Sequence, residues 1–110
     1  MYAQRKLREP WFVAFDDCQC RAKKKGLVFS ITREWARIRY TGKCELTGVS
    51  FAASAGHGPK ALSISIDQIV PRGGYTPENS RFILHAINSF KGQMADEEML
   101  ALARALLTKS

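Results

Sequence analysis

The sequence predicts a small α+β protein of one domain, and three observations lead to this prediction. At 110 residues the chain has the length of one domain, and a domain of this size buries roughly 65% of the surface that its unfolded chain exposes. Apolar residues recur at spacings of three and four in the first and last parts of the chain, as on helices, and alternate in the middle, as on strands. The predicted parts are a basic helical region (1–43), a central motif (44–92) and a C-terminal helix (93–110).

The first helix is predicted from Pro10 to about Lys25. Proline is favoured in a first helical turn, and Gly26 can end the helix in a left-handed cap behind a cluster of cations. The buried stripe of this helix is predicted to consist of Trp11, Phe12, Phe15, Cys18 and Ala22.

A second helix is predicted in the stretch REWARIRY, with Thr32 as its N-cap and an end near Gly42. Its periodicity predicts that Trp35 and Ile38 are buried. The stretch CELTGVSF then holds two short apolar pieces around a Thr-Gly pair, which predicts a compact hairpin.

Two strands and two further helices complete the predicted fold. LSISID alternates apolar and polar residues, as a half-buried strand does, and RFIL is the second strand. HAINSFKGQ is predicted to be helical up to Gly92, and Asp96 to cap the last helix. The buried face of that last helix is predicted to consist of Met99, Leu100, Ala103, Leu106 and Leu107.

The positive charge is concentrated in the first part of the chain. The net charge is +7, and residues 1–43 carry eleven Lys and Arg against four acidic residues, whereas residues 44–110 sum to zero. This asymmetry predicts that the first part faces phosphates, with a merely soluble basic surface as the alternative.

Composition also excludes several classes of protein. No apolar run approaches the roughly 20 residues that span a bilayer, and the N-terminus lacks the features of a secretory signal, so a soluble cytoplasmic protein is expected. Three cysteines without a CxxC pair predict free thiols, with neither a disulfide framework nor a structural zinc site.

One segment carries the residues suited to chemistry, IDQIVPRGGYTPENSRFILHAIN, residues 66–88. Asp67 ends a predicted strand, and a rigidly held carboxylate is a natural ligand for a hard divalent cation. Asn88 follows His85 by one helical turn on a helix that must fold back over the strands. Asp67 and Asn88 are therefore predicted to converge on one ion.

The stretch SIDQIVPRGGYTPENSRFILHAINSFKG resembles the HNH endonuclease motif, in which two strands and a helix hold one metal ion. The resemblance implies that Asp67 and Asn88 bind the metal, that Asn79 braces the loop, and that Lys91 is the trailing basic residue. It covers about 50 residues, and CELTGVSF is similar to the hairpin that precedes the motif in small phage-type members. Gly73 and Gly74 match the glycine turn of the motif, and this pair allows a tight turn.

Gln68 departs from the pattern, because the family places its general-base histidine there. A carboxamide has no useful basicity near neutral pH, and loss of a general base costs about 10²- to 10⁴-fold in rate. Three explanations stay open at this point. His85 or His57 acts as the base from another direction, or Gln68 is an introduced replacement, or the protein has kept the fold and lost cutting. For His85, capping of its helix is the alternative role.

Two functions from different classes follow from these residues. The first is a metal-dependent DNA endonuclease or nickase that uses one Mg²⁺ or Mn²⁺ ion on duplex DNA, with Asp67, Gln68, Asn79, His85 and Asn88 at the catalytic site. The second is a non-catalytic module with the same fold that binds nucleic acid or inhibits a protein. The residues predicted to contact nucleic-acid phosphates are Lys23, Lys24, Lys25, Arg37, Arg72, Arg81 and Lys91.

Overall fold

The computed structural model describes residues 8–52 and 60–109. Within these ranges the chain forms four helices and one two-stranded sheet. In chain order the elements are α1 (Phe12–Lys25), α2 (Arg33–Arg39), β1 (Ile64–Gln68), β2 (Ser80–Leu84), α3 (His85–Lys91) and α4 (Asp96–Lys109). A short 3₁₀ turn (Pro77–Asn79) precedes β2. The α+β class predicted from the sequence is confirmed.

Helix α1 packs its apolar stripe against the sheet. All five predicted stripe residues are buried, and they share one core cluster with Ile66 of β1 and Phe82 of β2. The helix ends at Gly26, whose backbone φ of 66° is the left-handed cap conformation that glycine adopts without strain. The register of the stripe therefore decides which side of α1 remains available to solvent, and that side carries the cations.

Helix α2 is shorter than the sequence suggests. Thr32 caps it as predicted, because its Oγ1 accepts a hydrogen bond from the Trp35 backbone N–H at 3.0 Å. Trp35 is half-buried and stacks on Phe82, with 5.3 Å between the ring centroids. The predicted burial of Ile38 is wrong, since this side chain is 75% exposed. The helix ends at Arg39, one residue after Ile38, and no element in the described part of the chain covers this side chain.

The predicted hairpin at CELTGVSF is a tight turn with one bridge between Lys43 and Ser50. The Cys44 N–H donates to the Val49 carbonyl at 2.9 Å, and the Gly48 N–H donates to the Cys44 carbonyl at 2.8 Å. The turn rests on β2, because the Glu45 carboxylate accepts from the Phe82 N–H at 2.9 Å. It contributes Cys44 to a second, smaller core cluster beside β2.

Strands β1 and β2 are antiparallel, and their register places Ile66 opposite Phe82 and Asp67 opposite Arg81. The alternation of the sequence predicts a half-buried β1, but the three central residues of the strand are all buried. The difference arises because α1 covers one face of the strand, through Ile66, while α3 covers the other. This second cover brings polar groups of α3 into contact with Ser65 and Asp67 of β1.

Helix α4 corrects the sequence prediction in two ways. Of its predicted buried face only Met99 is buried, Ala103 is partly covered, and Leu100, Leu106 and Leu107 are 45%, 64% and 80% exposed. Asp96 starts the helix but does not act as the predicted cap, because its carboxylate binds Arg81. Periodicity identifies an apolar face, but it does not say whether another element covers that face. None of the helices in residues 8–52 and 60–109 is long and apolar enough to cross a bilayer.

Candidate active site

A cleft of about 240 Å³ lies beside β1, between the end of α1 and helix α3. Four of the five residues predicted to form the catalytic site line it, namely Asp67, Gln68, His85 and Asn88. The turn from β2 into α3 folds the helix back over the first strand, as expected, and this brings residues 67 and 88 to one cavity. His57, the alternative base, lies outside the described residues.

Asn79, the fifth predicted residue, lies behind the cleft and braces the loop between the strands. Its Oδ1 accepts from the Val70 N–H at 2.8 Å, and its Nδ2 donates to the carbonyls of Val70 and Gly74 at 3.1 and 2.9 Å. The close approach requires glycine at position 73, because a Cβ there would lie 2.7 Å from the Asn79 amide nitrogen. The predicted loop brace is confirmed.

The turn itself differs in one detail from the predicted Gly-Gly turn. Arg72 and Gly74 have left-handed backbones, with φ of 64° and 91°, whereas Gly73 does not. A non-glycine residue in this region costs of order 1–2 kcal/mol. Arg72 is exposed and lies outside the cleft lining, so the predicted phosphate contact of Arg72 is not part of the cleft.

Gln68 is held in place by the same loop. Its side-chain Oε1 accepts a hydrogen bond from the Gly74 N–H at 2.9 Å. The carboxamide therefore fixes the loop against the strand at the position where the resemblance implies a proton acceptor. An amide oxygen that already accepts an N–H can orient a water molecule but does not deprotonate it.

His85 is the first residue of α3, and the N-cap position of this helix is Leu84 rather than His85. The alternative role of His85 as a helix cap is therefore wrong. The ring is partly buried, lines the cleft, and has its Nε2 3.4 Å from the Ser89 Oγ. Among the described residues, His85 is the one imidazole side chain that lines the cleft.

Asp67 belongs to a buried ion-pair network of two acidic and two basic side chains, Asp67, Arg81, Lys91 and Asp96. Arg81 Nε donates to Asp67 Oδ2 at 2.8 Å, and the two terminal nitrogens of the same guanidinium donate to the two oxygens of Asp96 at 2.8 and 2.9 Å. Lys91 Nζ lies 3.0 and 3.2 Å from the two Asp67 oxygens. The two positive and two negative charges of this ionic quartet cancel.

The quartet corrects the phosphate-binding role predicted for Arg81 and Lys91. Both are buried, at 7% and 1% exposure, and both are occupied by carboxylates. Hydrogen bonding to Arg81 holds the pKa of Asp96 below its ordinary value. Burial lowers the pKa of Arg81, but its contacts with Asp96 and Asp67 outweigh this effect and raise that pKa above the ordinary value. Neither cation presents its charge at the surface.

Asp67 and Asn88 are the side chains of the cleft that would hold a hard divalent ion arriving with a phosphate, and both Asp67 oxygens already contact Lys91. No group of three or more His, Cys, Asp or Glu side chains clusters in residues 8–52 and 60–109. Asp67 and Asn88 both line the cleft. The Asn88 side-chain N–H donates a hydrogen bond to Ser65 Oγ at 2.6 Å, so the amide oxygen of Asn88 takes no part in that bond. Mg²⁺ is commonly held by one or two such protein ligands, and water and substrate phosphates complete its coordination.

The end of α1 supplies the positive rim of the cleft. Lys25, predicted from the sequence, lines it together with Arg21, one helical turn earlier. Lys23 and Lys24 are exposed on the same helix end but lie outside the lining. Arg37 forms an ion pair with Glu34 on the exposed surface of α2, which reduces the charge it presents.

Arg21 and Tyr75 are site residues that were not among the predicted ones. Burial raises the pKa of the Tyr75 hydroxyl, and the neighbouring Arg21 guanidinium opposes that shift, so the two groups interact electrostatically at the cleft. Arg21 could have been found from the sequence, because a residue four positions before Lys25 lies on the same helix face. Nearby Cys18 is a free thiol whose pKa burial raises to about 12.

Comparison with solved structures shows that this chain has an HNH-like fold. The neighbour that shows it is PacI, described as a rare-cutting HNH restriction endonuclease. The TM-score is 0.64 and the sequence identity 18%, and the likeness covers 86% of this chain and 74% of the PacI chain. Comparison of the sequence with protein-family profiles and with curated proteins gave no match. At this identity the likeness establishes the fold alone.

Proposed function

We propose that this protein is a DNA endonuclease or nickase of the HNH type, which hydrolyses phosphodiester bonds with one Mg²⁺ or Mn²⁺ ion. The observation that carries the proposal is the convergence of Asp67, Gln68, His85 and Asn88 on one cleft with a cationic rim. PacI, an HNH restriction endonuclease, supports it at the level of the fold. With glutamine at position 68, the expected rate is low.

The residues of the cleft divide the work by their chemistry. Arg21 and Lys25 draw the DNA backbone to the cleft, and Asp67 and Asn88 are the proposed ligands of the divalent ion. When bound, such an ion offsets the negative charge that develops on the leaving oxygen. Gln68 orients water through its amide, and His85 at the start of α3 is the proposed proton acceptor.

Nicking of supercoiled plasmid DNA in Mg²⁺ or Mn²⁺ tests this function. Slow nicking is expected from the unaltered chain, and Asn88→Ala is expected to lower it at least tenfold, because the cleft loses one of two proposed metal ligands. Chelation of the metal should abolish the residual activity. The proposed site would be contradicted if Asn88→Ala nicked DNA as fast as the unaltered chain, or if nicking persisted after the metal is chelated.

DNA binding is expected to depend on the exposed end of α1. Replacing Lys23, Lys24 and Lys25 with alanine should weaken binding to duplex DNA and reduce the slope of log affinity against log salt by about 0.9 for each phosphate that the variant no longer neutralises. The matched control replaces Lys60, Arg104 and Lys109, which removes the same charge from exposed positions elsewhere. Fluorescence anisotropy at several salt concentrations gives both slopes, and equal slopes for the two triple variants would place the DNA elsewhere.

A second candidate function is a non-catalytic DNA-binding module with the same fold. It is favoured by two observations, the amide at position 68 bonded to the loop and the Asp67 carboxylate occupied by Arg81 and Lys91. Such a module would bind DNA with the salt dependence described above but would release no nicked product under any metal condition. The nicking and binding assays together separate the two functions.

A further inference from the structure

The Lys91 side chain ends in a pocket of oxygen atoms. Its ammonium lies 2.9 Å from the carbonyl oxygens of Gln68 and Ile69, 3.0 and 3.2 Å from the two Asp67 oxygens, and 3.3 Å from Asp96 Oδ1. The side chain is 1% exposed. Five oxygens from two carboxylates and two peptide groups therefore surround one cationic nitrogen, without access to bulk water.

The pocket holds more acceptors than lysine can satisfy. An ammonium group has three N–H donors, whereas five oxygens lie within 3.3 Å of it. Carboxylate and backbone carbonyl oxygens are the kinds of ligand that hard cations take in proteins. The arrangement is thus a cation site that a side chain of the protein fills.

We propose that the Lys91 ammonium is a built-in cation that competes with a divalent metal ion for Asp67. With Lys91 in place, the charges of the quartet cancel, so an incoming divalent ion meets a carboxylate that is already neutralised. Without it, the same oxygens form a site of net negative charge. The proposal rests on the proposed function only in that Asp67 is the carboxylate a catalytic ion would use.

The Lys91 ammonium also offsets the cost of burying the Asp67 carboxylate. A buried carboxylate without a partner is costly, and removing one member of a buried ion pair typically destabilises a protein strongly. The side-chain amide of Asn88 is hydrogen-bonded to Ser65 of β1, which fixes α3 against that strand. Lys91 lies one helical turn after Asn88 on the same helix, and this position lets its ammonium reach Asp67. The helix thus presents a candidate metal ligand and the competing cation on the same face.

Mn²⁺ binding to a variant without the ammonium tests the proposal. Lys91→Met keeps an unbranched side chain of similar length and removes the charge, and Lys43→Met makes the same change at an exposed position. Calorimetric titration with MnCl₂ is expected to show at least about tenfold tighter binding to Lys91→Met than to the unaltered chain, since one opposing charge is lost from the site. Lys43→Met should bind Mn²⁺ as the unaltered chain does. Equal or weaker binding by Lys91→Met would overturn the proposal.

A second measurement covers the case in which Lys91→Met does not fold alone. The variant would then be titrated with MnCl₂, CaCl₂ or KCl while its circular dichroism is recorded, because a cation that binds the folded state preferentially shifts the equilibrium toward it. Recovery of the folded signal with any of these cations supports the pocket as a cation site. Absence of recovery with all three overturns it.

The same samples separate this proposal from the proposed function. Tighter Mn²⁺ binding by Lys91→Met without DNA nicking by any variant would support the built-in cation and contradict the nuclease. Nicking by the unaltered chain, together with no gain in Mn²⁺ affinity in Lys91→Met, would support the nuclease and contradict the built-in cation.

Discussion

Gln68→His is expected to raise the rate of plasmid nicking in Mg²⁺ or Mn²⁺ by about 10²-fold or more. The side chain at position 68 lines the cleft beside Asp67, and an imidazole with an ordinary pKa near 6.5 accepts a proton at neutral pH, which an amide does not. The substitution leaves Asp67, Asn79 and Asn88 unchanged, so a gain in rate would isolate the missing proton acceptor.

The bond between Gln68 and Gly74 makes a second variant informative. A histidine that accepts from the Gly74 N–H through Nδ1 carries its proton on Nε2 and is then no proton acceptor toward the cleft. Gln68→Glu keeps an oxygen for the Gly74 N–H and supplies a carboxylate of nearly the same shape. A gain with glutamate and none with histidine would identify the tautomer as the obstacle.

Two further outcomes would overturn the role given to position 68. If the unaltered chain cuts DNA rapidly and His85→Ala abolishes cutting, the base lies on α3 and the glutamine is no defect. If neither variant at position 68 cuts any form of DNA while binding persists, the non-catalytic module is the better account.

Arg81→Met is expected to lower the free energy of unfolding by about 3–5 kcal/mol, the range typical for breaking a buried ion pair by removing one partner. The Arg81 guanidinium binds the carboxylates of Asp67 and Asp96, and its side chain is 9% exposed. Its removal leaves Lys91 alone to offset two acidic groups. Urea unfolding measures the change.

The control for this prediction is Arg104→Met on the exposed surface of α4. Substitutions at such positions usually change stability by less than about 0.5 kcal/mol. A loss in Arg81→Met of about 1 kcal/mol or less, similar to the control, would mean that the quartet contributes little to the fold and that the two carboxylates are well solvated without the arginine.

The buried face of the helix that packs against the sheet was predicted from the sequence, whereas the exposure of apolar side chains on α2 and α4 was not. The stripe from Trp11 to Ala22 was correct because the sheet lies across that face of α1. Ile38 and Leu107 carry the same periodic signal and are exposed. A helical period says which residues share a face, but only the tertiary arrangement decides whether that face is covered.

For the site, the sequence predicted which residues lie close together better than it predicted which charged side chains form ion pairs. A short helix that must fold back over the strands was enough to predict that Asp67 and Asn88 lie close together, and both line the cleft. Lys91 and Arg81 were interpreted as phosphate-binding cations because they lie close to the site in sequence. Their pairing with Asp67 depends on the strand register, which sets Arg81 opposite Asp67, and on the face of α3 that carries Lys91. Both depend on tertiary contacts that no local pattern contains.

The Asn79 brace has a consequence for the motions of the loop between the strands. Backbone amides in surface loops usually exchange their hydrogens rapidly with solvent, because little structure must open to expose them. Here the amides of Val70 and Gly74 are both bonded to side chains that the strands and the 3₁₀ turn hold in place. Their exchange is therefore expected to require opening of the sheet, and we expect the loop to move with the strands as one unit rather than as an independent flap.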